Sequence, residues 1–243
     1  MSAAPEVRVE GLTKRFGRLQ ALRGIDLTIA AGRITAVLGP NAAGKTTVIK
    51  AVLGLVRLDR HGGRILIDGE PIASGYRYRE RIGYMPQAAQ FPEYLTGREV
   101  INLLRDLRGR PADLDEELLE RFALGPALEK PIRTLSGGTR QKINAIVAFL
   151  FRPSLLILDE PTAGLDPIAS GVLKDKVQRA PSEGKTVLVT SHVLSEVEEM
   201  AQDIVFLIEG RVEFTGTLAS LIETTGEPKL ERAIARLLAR RAA

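Results

Sequence analysis

The sequence predicts an α/β fold built on a mostly parallel β-sheet, and three observations support this prediction. Along most of the 243 residues, short apolar runs typical of buried strands alternate with segments of helical periodicity. A glycine-rich loop at 39–44 lies between a predicted strand and a predicted helix. A second apolar strand, 155–158, ends in two carboxylates, Asp159 and Glu160. Because ligands bind at the carboxyl ends of parallel strands, both segments are expected at one edge of the sheet.

The first third of the chain is predicted to consist mainly of strands. Apolar runs bounded by turn signals predict them at 7–9, 22–29, 34–38, 63–67 and 82–85. A helix is expected from Lys45 to about Leu55, directly after the glycine-rich loop.

The middle of the chain, 87–152, is predicted to be helical and to form an inserted subdomain. Thr96-Gly97-Arg98-Glu99 fits a capping box, which marks the start of a helix. Apolar residues then recur every four positions across 114–122, the spacing of an amphipathic helix. A glycine pair at 137–138 precedes a third helix that ends before Pro153.

The last third returns to alternating strands and helices. Strands are predicted at 155–158, 186–190, 204–208 and 212–214, and helices at 167–179 and 194–200. Asp166 is the expected N-cap of the first of these helices, with Pro167 at its first position.

A helical tail is predicted at 217–243, and its end holds the whole net charge of +4. Residues 229–243 contain five basic and one acidic residue, so the rest of the chain has 29 of each. The apolar residues on one face of this helix are Leu230, Ile234, Leu237 and Leu238. Such a helix can lie on an anionic membrane, dock on a partner or pack against its own domain, and these alternatives stay open.

Composition excludes several classes of protein. With 44% hydrophobic and 26% charged residues, the chain can bury a core and is not globally disordered. The absence of cysteine excludes disulfides and thiolate metal sites. The longest apolar run, 143–151, is far shorter than the roughly 20 residues of a membrane-spanning helix. A charge-balanced body also argues against a nucleic-acid partner.

The glycine-rich loop matches the pattern G-x-x-x-x-G-K-[ST], which is typical of polyphosphate binding. Its backbone N–H groups at a helix start can cradle phosphates, Lys45 would neutralise them, and the Thr46 hydroxyl would bind Mg²⁺. A strand-to-helix turn with a chance lysine is the alternative. The residues predicted to bind ATP here are Gly39, Pro40, Asn41, Ala42, Ala43, Gly44, Lys45, Thr46 and Thr47.

The two carboxylates after strand 155–158 suit hydrolysis. Asp159 can hold the metal through water, and Glu160 can polarise an attacking water molecule. On its own such a pair would be a solvated turn. Together with the phosphate loop it predicts a nucleotide hydrolase site.

The segment Leu135-Ser136-Gly137-Gly138-Thr139-Arg140-Gln141, followed by Asp159-Glu160, resembles the signature of ATP-binding cassette (ABC) ATPases. The resemblance covers nearly the whole chain, because the motifs occur in the family's order. It implies a P-loop NTPase fold with a mostly parallel sheet, an N-terminal antiparallel β subdomain and the inserted helical subdomain 87–152. Residues 1–243 would form a single ATPase domain.

The resemblance also implies roles for individual residues. Phe16 would stack on adenine, unless it is a core phenylalanine. Gln87 would sense Mg²⁺ and the attacking water, and His192 would contact the γ-phosphate; otherwise both are surface or structural residues. The predicted metal ligands are Thr46, Gln87 and Asp159. Signature residues expected to bind ATP in a second copy are Ser136, Gly137, Gly138 and Gln141.

One position departs from the family pattern, which usually has glycine at Ala42. If this residue has a positive φ, alanine costs about 1 kcal/mol of strain.

The implied function is that of the ATP-hydrolysing subunit of a membrane transporter, with ATP and Mg²⁺ as cofactors. Expected partners are a second cassette, as a homodimer or paired cassette around two ATP molecules, and a separate transmembrane permease that docks near 91–94. The protein would be peripheral on the cytoplasmic face of the inner membrane. It is most similar to bacterial export-type cassettes, with a weaker likeness to those that serve copper-site maturation of nitrous-oxide reductase.

Two other classes are weighed against this function. Soluble ABC ATPases that act on nucleic acid or ribosomes usually carry either two cassettes in one chain or a long coiled-coil insertion between the phosphate loop and the signature, and neither feature is present here. A GTPase would need an Asn-Lys-x-Asp motif, which the sequence lacks. No catalytic motif follows His192, so the tail is expected to be dispensable for ATP chemistry.

Overall fold

The computed structural model describes residues 4–72 and 75–242, with side chains described up to Ala239. The ends of the predicted domain 1–243 and of the predicted tail therefore lie outside the described residues. No helix within the described ranges has the length and apolar character that a bilayer crossing requires.

The described elements alternate as the sequence predicts. The strands are β1 (Val7–Phe16), β2 (Leu19–Ile29), β3 (Ile34–Leu38), β4 (Arg64–Ile67), β5 (Glu70–Pro71), β6 (Ile82–Met85), β7 (Leu155–Asp159), β8 (Thr186–Thr190), β9 (Asp203–Ile208) and β10 (Arg211–Thr217). The helices are α1 (Lys45–Val52), α2 (Gly97–Leu107), α3 (Glu117–Arg121), α4 (Gly137–Leu150), α5 (Pro167–Arg179), α6 (Leu194–Met200), α7 (Leu218–Thr225) and α8 (Leu230–Ala242).

The strands of the described chain form two sheets. The larger sheet has the order β10-β9-β3-β8-β7-β6, and its pairs are parallel except for the antiparallel pair of β9 and β10. The smaller sheet, β2-β1-β4-β5, is antiparallel throughout. This architecture confirms the predicted mostly parallel sheet with an N-terminal antiparallel sheet.

The central strands β3, β7 and β8 are buried on both faces, which explains their continuous apolar sequences. Asp159 pairs with Thr190, and Val37 pairs with the same threonine from the other side. The ends of β3, β7 and β8 therefore meet at one edge of the sheet. This register brings the phosphate loop and the carboxylates together.

Different layers cover the two faces of the larger sheet. On one face, Ala36, Leu158 and Val189 pack in a single apolar cluster with residues of α2 to α8. On the other face, Val37 and Leu188 pack in a second cluster with α1 and the antiparallel sheet. The antiparallel sheet thus takes the place that helices occupy on the first face.

Two predicted helix starts are confirmed by their caps. Thr96 and Glu99 form a capping box, in which the Glu99 N–H donates to Thr96 Oγ1 (3.1 Å) and the Thr96 N–H donates to Glu99 Oε2 (2.8 Å). Asp166 caps α5 by accepting the N–H of Ala169 (2.9 Å).

The predicted helix over 114–122 is wrong in extent, because α3 covers only Glu117–Arg121. The chain before it is tied elsewhere, since the Asp115 N–H donates to the carbonyl of Leu150 at the end of α4 (2.8 Å). Apolar residues of the region still pack on the core, which preserves the spacing without a helix.

A network of charges joins this region to α5. The ammonium of Lys176 lies 2.7 Å from both Asp115 and Glu117, and Lys176 and Asp115 are almost fully buried. Arg179 also donates to Glu117. Burial raises the pKa of Glu117, but the hydrogen bonds from Lys176 and Arg179 outweigh burial and lower it to about 2.

The tail packs against its own domain. Leu230 and Ala233 of α8 are fully buried in the main apolar cluster, and Ile234 and Leu237 pack against it. Leu238 is 41% exposed. Of the three alternatives left open by the sequence, the structure shows docking on the domain itself for the apolar face of α8.

Candidate nucleotide site

A cleft of about 490 Å³ opens at the carboxyl edge of the larger sheet. This volume suits a small-molecule ligand. Its lining includes these predicted site residues: Phe16, Asn41, Ala42, Ala43, Gly44, Lys45, Thr46, Thr47, Gln87, Asp159 and Glu160. The structure thus gathers most of the predicted site in one place.

The phosphate loop joins β3 to α1 in a conformation that depends on its glycines. Gly39 and Gly44 have φ values of 150° and 108°. A Cβ atom at Gly39 would collide with the carbonyl oxygen of Leu207 on β9. The loop closes through a hydrogen bond from the Ala43 N–H to the carbonyl of Pro40 (3.1 Å). It therefore leads directly into the N-terminus of α1, where N–H groups are available for an anion.

Ala42 lies in this loop with a φ of 64°. Ala42 therefore has the positive φ for which the sequence predicts strain, a left-handed conformation that glycine adopts freely. The strain is on the order of 1 kcal/mol.

Lys45 folds back over the loop. Its ammonium donates to the carbonyls of Gly39 (2.6 Å) and Pro40 (3.1 Å). Burial lowers the pKa of Lys45, while the charges of Glu160 and Asp159 act in the opposite direction. The ammonium is thus held beside the loop, where a polyphosphate would lie.

Thr190, which no sequence motif identifies, connects the two carboxylate residues. Its hydroxyl donates to Asp159 Oδ1 (2.6 Å) and accepts the N–H of Glu160 (3.1 Å). Burial raises the pKa of Asp159, and the Thr190 hydrogen bond opposes this shift. The available signal was a polar residue at the end of an apolar strand.

Glu160 and His192 form a pair at the rim of the cleft. His192 Nδ1 is hydrogen-bonded to Glu160 Oε2, and the backbone N–H of His192 donates to the same oxygen (3.3 Å). The side chain of Glu160 is 12% exposed and that of His192 is 72% exposed. Glu160 also has a φ of 53°, an uncommon conformation for a non-glycine residue. A carboxylate held in this way can accept a proton from water.

Phe16 and Gln87 both line the cleft. Phe16 is 48% exposed, which excludes the alternative of a core phenylalanine. The ammonium of Lys14 lies 4.9 Å from its ring centroid. The ring offers a flat surface for a base to stack on. Gln87 follows β6 with its exposed side chain in the cleft wall.

The signature residues lie apart from the cleft, since none of the described residues that line it comes from 135–141. Ser136 caps α4 by accepting the N–H of Thr139 (3.1 Å). Gly137 is exposed, with open space where a Cβ atom would lie. At Gly138 a Cβ atom would lie 2.9 Å from the carbonyl oxygen of Gly164. Within one copy the predicted ATP contacts therefore fall on two surfaces.

Gln141 does not fit the predicted contact with ATP. Its side chain is turned inward, with 6% of the residue exposed. Its Nε2 donates to the carbonyl of Pro161 (3.4 Å), and its Oε1 accepts from Asn144 (3.2 Å). This geometry corrects the prediction: Gln141 ties α4 to the segment after Glu160.

Comparison with known proteins gives one family and many relatives. The family model described as "ABC transporter" matches residues 22–163. The chain is 38% identical over 230 residues to the daunorubicin resistance ATP-binding protein DrrA3 of Streptomyces coeruleorubidus, covering 93% of this chain and 72% of that protein. It is 34% identical over 229 residues to the Nod factor export ATP-binding protein I of Burkholderia lata, covering 92% and 74%. A lantibiotic transport ATP-binding protein, SrtF of Streptococcus pyogenes, is 32% identical over 206 residues, covering 85% and 88%.

Solved structures with the same fold agree. An ATP-binding subunit of an ABC transporter superposes with a TM-score of 0.87 at 30% identity, over 96% of this chain and 99% of that one. A dimeric cassette in a post-hydrolysis state with ADP and Pi has a TM-score of 0.77 at 24% identity, over 87% and 98%. This second likeness supports the fold alone.

Proposed function

This chain belongs to the ABC transporter family as an ATP-hydrolysing subunit, and on that premise we propose that two copies close around two ATP molecules and drive an export-type permease. The observation that carries the proposal is the separation of the site into two surfaces. The cleft holds the phosphate loop and the carboxylates, whereas Ser136 and Gly137 are exposed elsewhere on the same chain. Each surface completes a site when it faces the other surface of a second copy.

In the cleft, the residues divide the binding of ATP between them. Phe16 stacks on the adenine, the loop N–H groups bind the phosphates, and Lys45 exchanges its bonds to Gly39 and Pro40 for phosphate oxygens. The exchange is favourable because a carbonyl is a weaker partner for an ammonium than an anion is.

The donor set of the cleft fits Mg²⁺. A hydroxyl (Thr46), a carboxylate (Asp159) and an amide (Gln87) line it, and Mg²⁺ prefers such oxygen ligands together with substrate phosphates. In the described part of the chain, no three His, Cys, Asp or Glu side chains gather as a metal site of their own. When bound, Mg²⁺ would neutralise phosphate charge.

Glu160 is the proposed general base, and His192 holds it. The carboxylate accepts the proton of the attacking water, while the contact with His192 fixes its orientation. Thr190 keeps the backbone of Glu160 beside Asp159. His192, which is mostly exposed, is free to contact the γ-phosphate.

The second copy supplies the N-terminus of α4. Helix α4 has 14 residues, and its N-terminus is formed by Ser136, Gly137 and Gly138, which have no bulky side chains. Such a helix end attracts a negatively charged phosphate. Gly138 also allows the close approach of the loop at Gly164.

The permease is the remaining proposed partner. Residues 91–94 end in Tyr94, which is 78% exposed, with the guanidinium of Arg133 5.1 Å from its ring centroid. An exposed aromatic with a neighbouring cation is a suitable anchor for a docking segment. Docking there would make the chain a peripheral protein on the cytoplasmic face of the inner membrane.

Export is the direction we propose. Relatives are named for daunorubicin resistance, Nod factor export and lantibiotic transport. Because their names mention different compounds, we propose the direction of transport but no single substrate. The weaker likeness to copper-maturation cassettes stays a prediction.

The test is the variant Glu160→Gln, measured by size-exclusion chromatography with light scattering. It should bind ATP, hydrolyse it at least about 100-fold more slowly than wild type, and accumulate as an ATP-dependent dimer, because the amide cannot accept a proton. Hydrolysis at the wild-type rate would overturn the role of Glu160.

Gly137→Asp, made in the Glu160→Gln background, is the matched control for the second surface. Its side chain has open space, so the fold is undisturbed, but its charge repels the phosphates of the facing nucleotide. This double variant should bind ATP and stay monomeric. A dimer as stable as that of Glu160→Gln alone would contradict the proposed arrangement.

A further inference from the structure

His192 lies two residues before α6, which begins at Leu194. This helix has seven residues and no side-chain cap at its N-terminus. Helices of this length are unstable in isolation. What packs around α6 therefore decides where α6, and with it His192, lies.

Three glutamates of α6 bind three different parts of the chain. The pairs are Glu196 with the hydroxyl of Thr162 (2.7 Å), Glu199 with the ammonium of Lys174 (2.6 Å), and Glu198 with the backbone N–H of Leu230 (2.7 Å). The first two partners belong to the loop after Glu160 and to α5. The third belongs to the helical pair α7–α8, which the proposed mechanism does not use.

Two features of the α8 N-terminus favour the contact between Glu198 and Leu230. Leu230 is the first residue of α8, so its N–H has no partner within the helix. A carboxylate at this end also interacts favourably with the helix dipole. The side chain of Leu230 is buried in the main apolar cluster, to which Val197 and Met200 of α6 also belong. The Glu198 hydrogen bond thus joins two helices that share one core.

We propose that Glu198 is a positioning residue for ATP hydrolysis. By binding the N-terminus of α8 it fixes α6, and α6 fixes His192 against Glu160. The inference rests on the roles proposed above for Glu160 and His192. It gives the α7–α8 pair a part in ATP chemistry, although no sequence motif lies there.

The experiment compares steady-state ATP hydrolysis and equilibrium ATP binding of the full chain. In Glu198→Ala, kcat should fall about fivefold while the Kd for ATP stays within about twofold, because the cleft itself is untouched. Glu198→Gln keeps an acceptor oxygen and should retain most of the wild-type kcat. Glu223→Ala changes an exposed glutamate of α7 and should leave kcat unchanged.

A double-mutant cycle separates positioning from general destabilisation. With His192 already replaced by alanine, Glu198→Ala should lower kcat by less than about twofold, since the residue it positions is gone. An equal fivefold loss in both backgrounds would overturn the proposal, as would a wild-type kcat for Glu198→Ala.

Thermal melts by circular dichroism accompany each assay. If Glu198→Ala does not fold, Glu198→Asp replaces it, because the shorter carboxylate cannot reach Leu230 but keeps the charge. The same loss of kcat is expected, and a wild-type kcat for Glu198→Asp would overturn the proposal.

The same variants distinguish an error in the role of Glu198 from an error in the proposed function. If Glu160→Gln and His192→Ala both hydrolyse ATP at the wild-type rate, the proposed site is wrong, and the positioning role built on it is wrong too. If those two variants are impaired while Glu198→Ala is not, the positioning role alone is wrong.

Discussion

Ala42 holds a left-handed backbone conformation in the phosphate loop, where glycine would be unstrained. We predict that Ala42→Gly raises the free energy of unfolding by about 0.5–1 kcal/mol, because relief of strain is partly offset by the greater freedom of glycine in the unfolded chain. Urea unfolding measures this change. The Kd for ATP should stay within about twofold, since the nucleotide-free loop already has this conformation.

Ala43→Gly is the matched control for that prediction. Ala43 is buried and has no positive φ, so its replacement removes a packed methyl group and should destabilise the chain. If Ala42→Gly lowered the free energy of unfolding as much as Ala43→Gly does, the backbone at Ala42 would not be strained.

Thr190 holds both residues of the carboxylate pair through one hydroxyl group. We predict that Thr190→Val, which keeps the shape of the side chain, lowers kcat for ATP hydrolysis about tenfold or more, because Asp159 and Glu160 each lose a hydrogen bond to the same hydroxyl group. Steady-state kinetics measures the loss. Thr186→Val, at the other end of β8, should change kcat by less than about twofold; a similar loss there would point to damage to the strand.

Among single residues, the sequence predicted those whose place in the site follows from the strand directly before them in the chain. The phosphate loop and Asp159-Glu160 follow strands directly, so their place at the sheet edge could be anticipated. Thr190 could not, because its role depends on the pairing of β7 with β8. Gln141 was misassigned because the motif does not say which side of α4 faces the interior.

Glu117 links the short helix α3 to α5 through Lys176 and Arg179. Its pKa is about 2, below the ordinary 4.5, so the ionised form stabilises the fold above pH 4.5, and this contribution is lost as the pH falls towards 2. We predict that Glu117→Gln lowers the free energy of unfolding by about 2 kcal/mol at neutral pH, and that the difference from wild type shrinks below pH 4.5. Urea unfolding across pH measures both effects.

Glu120→Gln, on the exposed side of the same helix, is the control. It should change stability by no more than about 0.5 kcal/mol. A pH-independent loss in Glu117→Gln would mean that packing, and not charge, stabilises α3.

Among the elements, the helix predicted over 114–122 is shorter in the structure, where α3 covers only Glu117–Arg121. Periodicity identifies the buried residues, but a period of four is satisfied by a helix and by a loop that packs on the core. The tie between Asp115 and the end of α4 decides between them, and such a contact is not visible in local spacing. Caps at Thr96 and Asp166 were predictable because they act within one turn.

At the scale of the whole molecule, α8 belongs to the same apolar cluster as the parallel sheet. We predict that Leu230→Ala lowers the free energy of unfolding by about 3 kcal/mol and the Tm by about 5–10 °C, because a fully buried leucine is lost. Differential scanning calorimetry measures the shift.

Leu238→Ala on the same helix is the control, because Leu238 is 41% exposed. It should shift the Tm by less than about 2 °C. Equal effects of the two substitutions would contradict the docking of α8 by one face.

The order of motifs predicted the overall architecture, and the structure confirms the two sheets and the helical middle. The docking of the tail could not be predicted, because a basic amphipathic helix suits a membrane, a partner or its own domain equally well. Only the buried contacts of Leu230 and Ala233 distinguish these surroundings.

The left-handed conformation of Glu160 sets the stability of the protein against its ability to hydrolyse ATP. A glutamate there strains the backbone, and its charge helps to raise the pKa of Asp159, so we expect Glu160→Gly to give a more stable protein. Selection for shelf life or heat resistance alone would therefore favour chains that no longer consume ATP. Position 160 should therefore be kept as glutamate when this cassette is stabilised by screening for folded protein. The substitution that relieves backbone strain there also removes the proposed general base.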